Sequence, residues 1–288
     1  MYCIGLFFCS FLYNSGYKFF GVNTMPKYKE QLHTNGFCVI PDIISQDLVQ
    51  QLRNKYLYQL SNDKRMLTAQ DILDNSDLYN VLFSGDVINI ISNILGGSYC
   101  IYPDFTLRRS VYVAWHVDVP YLSQAEANSD ICANMLQVSL YLQDNTPENG
   151  GGLDAISGSH HYTDIDPQNL DLRGVDFSKQ IQIPSLAGSL TIWDSRLIHK
   201  SSVPINDKPI AAKLALQWTI SRTDKFANHY LNFLSDRIHA RLKDPIYDKT
   251  NREMEHLLSI AKLRYPDSFN DEQIAVIEKH GLQLKLLK

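Results

Sequence analysis

The sequence predicts a mainly β fold, a sandwich or barrel, flanked by helices. Three observations favour this fold. Residues 25–97 repeat apolar side chains at helical spacing, residues 99–222 break into short β-branched and aromatic runs between Gly, Pro, Asn and Asp clusters, and the chain becomes helical again from residue 224. With 288 residues, 44% of them hydrophobic, the chain is long enough to bury a sizeable core.

The N-terminal part of this pattern contains predicted helices and one short strand. Residues 45–60 begin at Ser45, a favourable N-cap, and residues 78–97 end at a glycine pair that is typical of a helix terminus. Residues 36–42, GFCVIPD, are typical of a strand, which Pro41 closes.

The first 24 residues are apolar and aromatic. No positive charge precedes the apolar run and no small-residue cleavage site follows it, so we interpret residues 1–24 as an extension upstream of Met25. A secretory signal is the alternative. The run is too short to span a bilayer as a helix, which needs roughly 20 apolar residues.

Three of the β runs alternate polar and apolar side chains. Residues 108–118 read RRSVYVAWHVD. If they form one strand, alternate side chains lie on the same face, and that face carries Arg108, Ser110, Tyr112, Ala114, His116 and Asp118. LQVSLYL (136–142) and KLALQWTIS (213–221) likewise have one polar and one apolar face each. A barrel whose polar faces line a central site explains this pattern, and so do polar faces washed by solvent.

The C-terminal part carries amphipathic segments. We expect them to pack as helices on the core or on a second copy of the chain, which would make a homo-oligomer. The predicted organisation is an extension (1–24), a barrel domain with N-terminal helices (25–222) and a helical extension (223–288).

Composition narrows the class of partner. A net charge of -4 without a long Lys/Arg block argues against nucleic-acid or membrane binding and favours a small-molecule partner. The five cysteines are scattered and form no C-x-x-C pair, which indicates neither a disulfide framework nor a cysteine zinc site. A reducing, cytoplasmic setting fits this usage.

An H-x-D pair, His116 and Asp118, and the distant His199 are the candidate metal ligands. Two imidazoles and one carboxylate form the facial triad of non-haem Fe(II) oxygenases, which leaves coordination positions open. On these positions alone, a core histidine bonded to Asp118 and a histidine in a loop explain the pattern equally well. His160 and His161 are alternative candidates to His199 as the second histidine ligand, although Gly158 and Ser159 indicate a turn at that place.

Four blocks of sequence, spread over roughly residues 28–222, resemble the phytanoyl-CoA dioxygenase family of Fe(II)/2-oxoglutarate oxygenases. They are NGFCVIPDIISQDLVQQLR, WHVD, LYLQDNTPENGGGLDAISGSHHY and GSLTIWDSRLIHKSSVPIND. The resemblance implies a double-stranded β-helix (jelly-roll or cupin-like) core, iron bound by His116, Asp118 and His199, and 2-oxoglutarate and O₂ as cosubstrates.

The resemblance also implies a basic residue for the far carboxylate of 2-oxoglutarate. The family has an Arg on the strand after the distal histidine, whereas this chain has Lys213. The two-residue alternation of a strand favours Lys213 over Lys208 or Arg222 as this basic residue. Lys213 shares a polar face with Gln217. A lysine is a point charge rather than a bidentate fork, and a solvated strand end is the alternative interpretation.

Other polar and aromatic residues complete the candidate site. The expected neighbours of the cosubstrate, besides Lys213, are Gln137, Tyr141 and Ser201. The candidates for the substrate pocket are Arg108, Tyr112, Tyr121 and Trp218, although barrel lining or shell packing explains each of them as well. The long polar loop 119–134 is the expected substrate lid.

The sequence therefore favours an Fe(II)/2-oxoglutarate-dependent dioxygenase that hydroxylates a small molecule and releases succinate and CO₂. Asp118 favours hydroxylation over halogenation, because similar halogenases have a small residue in place of that carboxylate. Two alternatives stay open: a non-catalytic barrel for binding or assembly, and a cupin-like metal-dependent hydrolase or isomerase.

Overall fold

The computed structural model describes residues 25–61, 65–129, 135–205, 212–238, 265–266 and 268–287; the predicted extension at 1–24 lies outside them. In these ranges the helices are α1 Met25–Asn35, α2 Gln46–Gln59, α3 Ala69–Leu73, α4 Ser76–Leu82, α5 Gly85–Leu95, α6 Gln124–Ala127, α7 Ala227–Ile238 and α8 Asp271–Lys279. The strands are β1 Phe37–Ile40, β2 Met66–Leu67, β3 Cys100–Ile101, β4 Thr106–Arg109, β5 Met135–Tyr141, β6 Leu153–Ile156, β7 Gln180–Ile183, β8 Leu190–Asp194, β9 His199–Ser201, β10 Leu214–Ser221 and β11 Gln283–Leu284.

The strands form a larger and a smaller sheet. In the larger sheet the order is β1-β8-β5-β10, and β10 then pairs with β4 along its first half and with β3 at its end. Strand β2 extends the sheet beside β4, and β11 lies parallel to β3. The smaller sheet has the order β7-β6-β9. Side chains of both sheets line one cavity, and this architecture is the expected double-stranded β-helix.

The outer face of the larger sheet is apolar and packs against the helices. Strands β5 and β10 alternate as predicted, and their outward side chains belong to one buried cluster with α2 and α5: Leu136, Val138, Leu140, Leu214, Leu216, Trp218 and Ile220. Burying each of these side chains contributes roughly 1.5–3 kcal/mol. The polar residues between them therefore face the interior of the barrel.

Helix α2 begins where the sequence predicts. The Ser45 side chain accepts a hydrogen bond from the Leu48 amide at 3.2 Å, which caps the helix. On the face of the sheet, Arg53 of α2 donates to the Leu142 and Ala212 carbonyls at 2.9 and 3.2 Å. These bonds fix α2 across the ends of β5 and β10.

The helix predicted over residues 78–97 is two helices, α4 and α5. The break falls at Ser84, whose side chain caps α5 by accepting from the Val87 amide at 3.2 Å. Helix α5 ends at Gly96 in the left-handed conformation, as the glycine pair indicated. Ser76–Leu95 is apolar enough to cross a membrane by length and composition, but 56% of its apolar window is buried inside the protein.

The strand predicted over residues 108–118 is shorter than expected. Strand β4 ends at Arg109, and Ser110 has a φ of 49°, in the left-handed region. The chain leaves the larger sheet at this residue and continues alongside β9 of the smaller sheet, where His116 pairs with His199. A single alternating face along the whole run was therefore a wrong prediction, because the left-handed residue interrupts the period.

Two of the predicted C-terminal helices are described, α7 and α8, and residues 239–264 lie outside the described part of the chain. Helix α7 packs against the barrel through Tyr230 and Leu234, both buried. The division of the chain into domains and the homo-oligomer stay predictions.

Candidate metal centre and its cavity

The backbone places the two candidate histidine ligands directly opposite each other. The His116 amide donates to the His199 carbonyl at 2.9 Å, and the His199 amide donates back at 3.0 Å. The imidazole rings then lie with their centroids 4.2 Å apart. Residues 83 positions apart in sequence are thus held as one pair by the strand ladder.

Hydrogen bonds to the backbone set the tautomer of both rings. Nδ1 of His116 lies 2.7 Å from the Ala114 carbonyl, and Nδ1 of His199 lies 2.9 Å from the Leu197 carbonyl. Because a carbonyl oxygen only accepts, each Nδ1 carries the proton and each Nε2 keeps its lone pair. Burial also lowers the pKa of His199 to about 4, which keeps its Nε2 unprotonated at neutral pH.

The Asp118 carboxylate completes the cluster. Its Oδ1 lies 3.3 Å from Nε2 of His116, and its Oδ2 lies 3.5 Å from Nε2 of His199. Burial alone would raise the pKa of Asp118, but the two imidazoles and the Trp193 N–H, which donates to Oδ2 at 2.8 Å, lower it well below its usual range. The carboxylate is therefore ionised, and Trp193 fixes its orientation.

The ligand atoms of His116, Asp118 and His199 all lie within 4.8 Å of one another. His116 and Asp118 are partly exposed to the cavity, whereas His199 is buried. Two imidazoles and one carboxylate can hold a divalent transition-metal ion and leave further coordination positions open to the cavity. The three predicted ligands are thus brought together by the fold.

A cavity of about 100 Å³ adjoins this cluster. Its wall carries charged and polar groups together with apolar side chains: Asp104, Arg108, Val111, Val113, His116, Val117, Asp118, Pro120, Gln137, Leu153, Trp193, His199, Ser201, Lys213, Gln217, Trp218, Tyr230 and Phe233. The interior of the barrel is therefore a polar site and not a second apolar core.

Lys213 lies in this cavity and is 3% exposed. Its Nζ donates to the Ser201 hydroxyl at 3.2 Å and stands 5.3 Å from the centre of the Tyr112 ring. A buried ammonium beside a metal cluster can bind a carboxylate group. Ser201 and Tyr112, two other predicted site residues, are thus neighbours of Lys213.

The remaining predicted site residues occupy different places. Gln137 and Arg108 line the cavity, Trp218 borders it from the apolar core, and Tyr141 is buried on the inner face of β5. Tyr121 instead packs against two aromatic side chains of α7, with ring centroids 5.1 to 5.3 Å apart.

Sequence reasoning missed a polar cluster on the cavity wall. Asp104 accepts from the Thr219 amide at 3.1 Å and from the Tyr230 hydroxyl, and the Thr219 hydroxyl lies 2.7 Å from that of Tyr230. Burial and the Asp104 charge raise the pKa of Tyr230, so its hydroxyl stays protonated. Asp104 lies in no motif that the sequence analysis identified, and Tyr230 lies in a predicted amphipathic segment, so no local signal marked either residue as part of the site.

The two alternative histidine ligands, His160 and His161, lie outside the metal cluster. His160 and His161 both point Nε2 at the His33 carbonyl, at 2.9 and 2.8 Å, and so tie their turn to α1. Burial lowers the pKa of His160 to about 4. Among the described residues, the metal-ligating cluster consists of His116, Asp118 and His199.

Comparison with known proteins agrees with this geometry. The family model for phytanoyl-CoA dioxygenase (PhyH) matches residues 83–209, a segment that contains all three members of the cluster. This segment is similar to the phytanoyl-CoA dioxygenase family. The resemblance drawn from the four sequence blocks is thereby confirmed. No curated protein matches the chain.

Several solved structures share the fold of this chain at low sequence identity. The epimerase SnoN in complex with Fe³⁺, alpha ketoglutarate and nogalamycin RO has a TM-score of 0.54 at 13% identity, over 72% of this chain and 89% of its own. EctD from S. alaskensis has a TM-score of 0.53 at 18% identity, over 68% of this chain and 76% of its own. AviO1 from Streptomyces viridochromogenes Tue57 has a TM-score of 0.51 at 18% identity, over 68% of this chain and 94% of its own.

Proposed function

We propose that this protein is an Fe(II)/2-oxoglutarate-dependent oxygenase that hydroxylates a C–H bond of a small molecule and releases succinate and CO₂. The observation that carries the proposal is the cluster of His116, Asp118 and His199 on the wall of a polar cavity that also holds Lys213. The match of residues 83–209 to the phytanoyl-CoA dioxygenase family model supports the same activity.

The donor set fits iron. Two imidazole nitrogens with open lone pairs and one ionised carboxylate are the ligands of non-haem Fe(II) oxygenases, whereas a closed zinc site needs four protein ligands. His116, Asp118 and His199 would hold the metal, and the backbone carbonyls behind both imidazoles would keep the rings in place.

The cavity also fits a dicarboxylate cosubstrate. Its wall carries side chains that can donate hydrogen bonds to carboxylate oxygens, among them Gln137, Gln217 and Ser201. Lys213 would supply the positive charge for the carboxylate far from the metal.

The protein contributes binding and orientation. When bound, iron together with 2-oxoglutarate would activate O₂, which is the oxidant of the reaction. Val111, Val113 and Leu153 line the cavity and limit water near the metal, while Trp193 keeps the Asp118 carboxylate aimed at it. Phe233 and Tyr230 of α7 form the wall on the side where the substrate would enter, next to the proposed lid at 119–134, of which 130–134 lies outside the described residues.

Hydroxylation is the reaction we favour among those known for similar folds. Structures that share the fold include an epimerase and a carbocyclase, so the fold alone does not set the reaction. Asp118 occupies the position that a halogenase would need for its halide. A hydrolase or isomerase would leave the buried Lys213 ammonium without a cosubstrate carboxylate to bind, and a non-catalytic barrel would leave the cavity beside the metal cluster without a role.

Succinate formation tests the proposal. Purified protein with Fe(II), 2-oxoglutarate and O₂ is expected to release succinate, slowly alone and faster with a substrate found by screening small molecules. His199→Ala should lose at least about 90% of this rate, because a metal ligand is missing, whereas His161→Ala, an exposed histidine outside the cavity, should keep it. Iron-independent turnover, or turnover of a substrate without 2-oxoglutarate, would contradict the proposal.

A further inference from the structure

The turn between β8 and β9 contacts two of the three candidate metal ligands. Its Ser195 carbonyl accepts a hydrogen bond from the Asp118 amide at 2.7 Å. Its Leu197 carbonyl accepts from Nδ1 of His199 at 2.9 Å. The shape of this one turn therefore sets how the backbone of Asp118 and the imidazole of His199 stand relative to each other.

An ion pair inside the turn fixes its shape. Oδ1 of Asp194 accepts from the Arg196 amide at 2.8 Å and from Nε of Arg196 at 2.9 Å, and Oδ2 accepts from Nη2 at 2.8 Å. The Asp194 side chain is 5% exposed and the Arg196 side chain 17%. A bidentate charged pair of this kind is both strong and specific in geometry. It holds residue 196 between the two carbonyls that contact the metal ligands.

Further hydrogen bonds connect the turn to itself and to the neighbouring 3₁₀ turn. The Leu197 amide donates to the Asp194 carbonyl at 2.9 Å, and the Ile198 amide donates to the buried Ser159 hydroxyl at 2.8 Å. Residues 195 and 197 thus offer their carbonyls to the metal ligands, while the even-numbered residues on either side hold the turn together. Of these contacts, the Asp194–Arg196 pair is the one between two charged side chains.

We propose that Asp194 and Arg196 are positioning residues for the metal, whose ion pair keeps Asp118 and His199 at the separation that binds the ion. The inference rests on the metal binding of the proposed function. Metal–ligand distances in working sites lie within about 0.2 Å of their usual values, so a small change in the turn should lower affinity although all three ligands are still present.

A second Asp-x-Arg pair in the chain provides a matched control. Oδ1 of Asp171 accepts from the Arg173 amide at 3.0 Å and from Nε of Arg173 at 2.9 Å, and Oδ2 accepts from Nη2 at 2.6 Å. These are the contacts that Asp194 and Arg196 make. The Asp171 and Arg173 side chains are 52% and 91% exposed, so replacing Arg173 removes the same guanidinium contacts from a surface turn.

Mn(II) binding by the purified, metal-free protein, measured by competition with a chelator, tests the proposal. Arg196→Ala should weaken Mn(II) binding at least about tenfold, as loss of a group that orients metal ligands usually does. Arg196→Lys keeps the charge but loses the fork, so its affinity should lie between those of Arg196→Ala and the wild type. Arg173→Ala should change Mn(II) affinity by less than about twofold, because exposed ion pairs contribute little.

A destabilised variant separates positioning from a general loss of stability. Leu78→Ala removes a fully buried side chain of α4 from the apolar cluster on the outer face of the larger sheet. It should lower the melting temperature, because it leaves a cavity, and should keep Mn(II) affinity within about twofold of the wild type. Thermal melting of every variant provides the comparison.

The outcomes distinguish this inference from the proposed function. Arg196→Ala that binds Mn(II) as tightly as Arg173→Ala would overturn the positioning role, and so would Leu78→Ala that weakens Mn(II) binding as much as Arg196→Ala. If Arg196→Ala does not fold, Arg196→Lys is compared with Arg173→Lys, and equal Mn(II) affinities would overturn it. A wild-type protein that binds no Mn(II) would overturn the proposed function itself.

Discussion

Trp193 is the residue that links the metal cluster to the larger sheet. It lies on β8, pairs with Phe37 on one side and Gln137 on the other, and donates its indole N–H to Oδ2 of Asp118 at 2.8 Å. The carboxylate would otherwise rotate between its two imidazole neighbours. An aromatic donor of this kind sets both the orientation and the ionisation of a metal-binding carboxylate.

Replacing Trp193 by Phe should therefore lower metal affinity about 10- to 100-fold, the usual effect of removing a hydrogen bond to a metal ligand. Competitive titration of Mn(II) against a chelator measures the change. Trp115→Phe is the matched control, because the Trp115 ring packs against Phe177 and under Lys200 outside the cavity. Equal metal affinity in the two variants would show that the Trp193 hydrogen bond has no part in binding.

At the scale of single residues, the sequence predicted the metal ligands but not the residues that hydrogen-bond to them or to the cavity wall. The H-x-D spacing and His199 were visible because their residue types carry the chemistry. Trp193 lies 75 residues from Asp118, and Asp104 lies 115 residues from Thr219. Contacts of that separation depend on the register of several strands, which no local pattern encodes.

At the scale of elements, α7 is joined to the barrel by a polar contact as well as by apolar packing. The Tyr230 hydroxyl donates to Asp104 and lies 2.7 Å from the Thr219 hydroxyl, while the ring packs edge-on against Tyr102 with centroids 4.9 Å apart. The helix thereby brings Phe233 to the cavity wall. Its position follows from this buried cluster.

Tyr230→Phe should destabilise the protein by about 1.5–3 kcal/mol, because it leaves Asp104 and Thr219 without their phenolic partner. Urea denaturation measures the free energy of unfolding. Tyr58→Phe is the control, since that side chain is 92% exposed and should change stability by less than about 0.5 kcal/mol. A loss no larger than that of the control would mean that α7 is held by apolar packing alone.

Comparison of β10 with the run from Arg108 to Asp118 shows when sequence alternation predicts the faces of a strand correctly and when it does not. Strict alternation in β10 gave the correct faces, because that strand lies in one sheet throughout. The run before His116 changes sheets at Ser110, so the alternating assignment placed Tyr112 on the cavity face where Val111 and Val113 lie. A residue with positive φ other than glycine leaves little trace in sequence.

At the scale of the whole molecule, the fold class followed from periodicity and the closed barrel from family resemblance. Alternation showed that three strands have one polar face, and it left open whether those faces meet solvent or a central site. The structure brings Gln137, Gln217 and Lys213 into one cavity with the metal cluster. The helices cover the opposite face, and this burial of the apolar side is what turns the polar residues inward.

The central claim is that this cavity binds iron and 2-oxoglutarate together. The most direct test is anaerobic ultraviolet-visible absorption of the Fe(II)-loaded protein before and after 2-oxoglutarate is added, with His116→Ala beside it. We predict a weak charge-transfer band at about 500 nm that appears only when Fe(II) and 2-oxoglutarate are both bound and that is absent in His116→Ala. Bound iron with no band after the addition of 2-oxoglutarate would contradict the account.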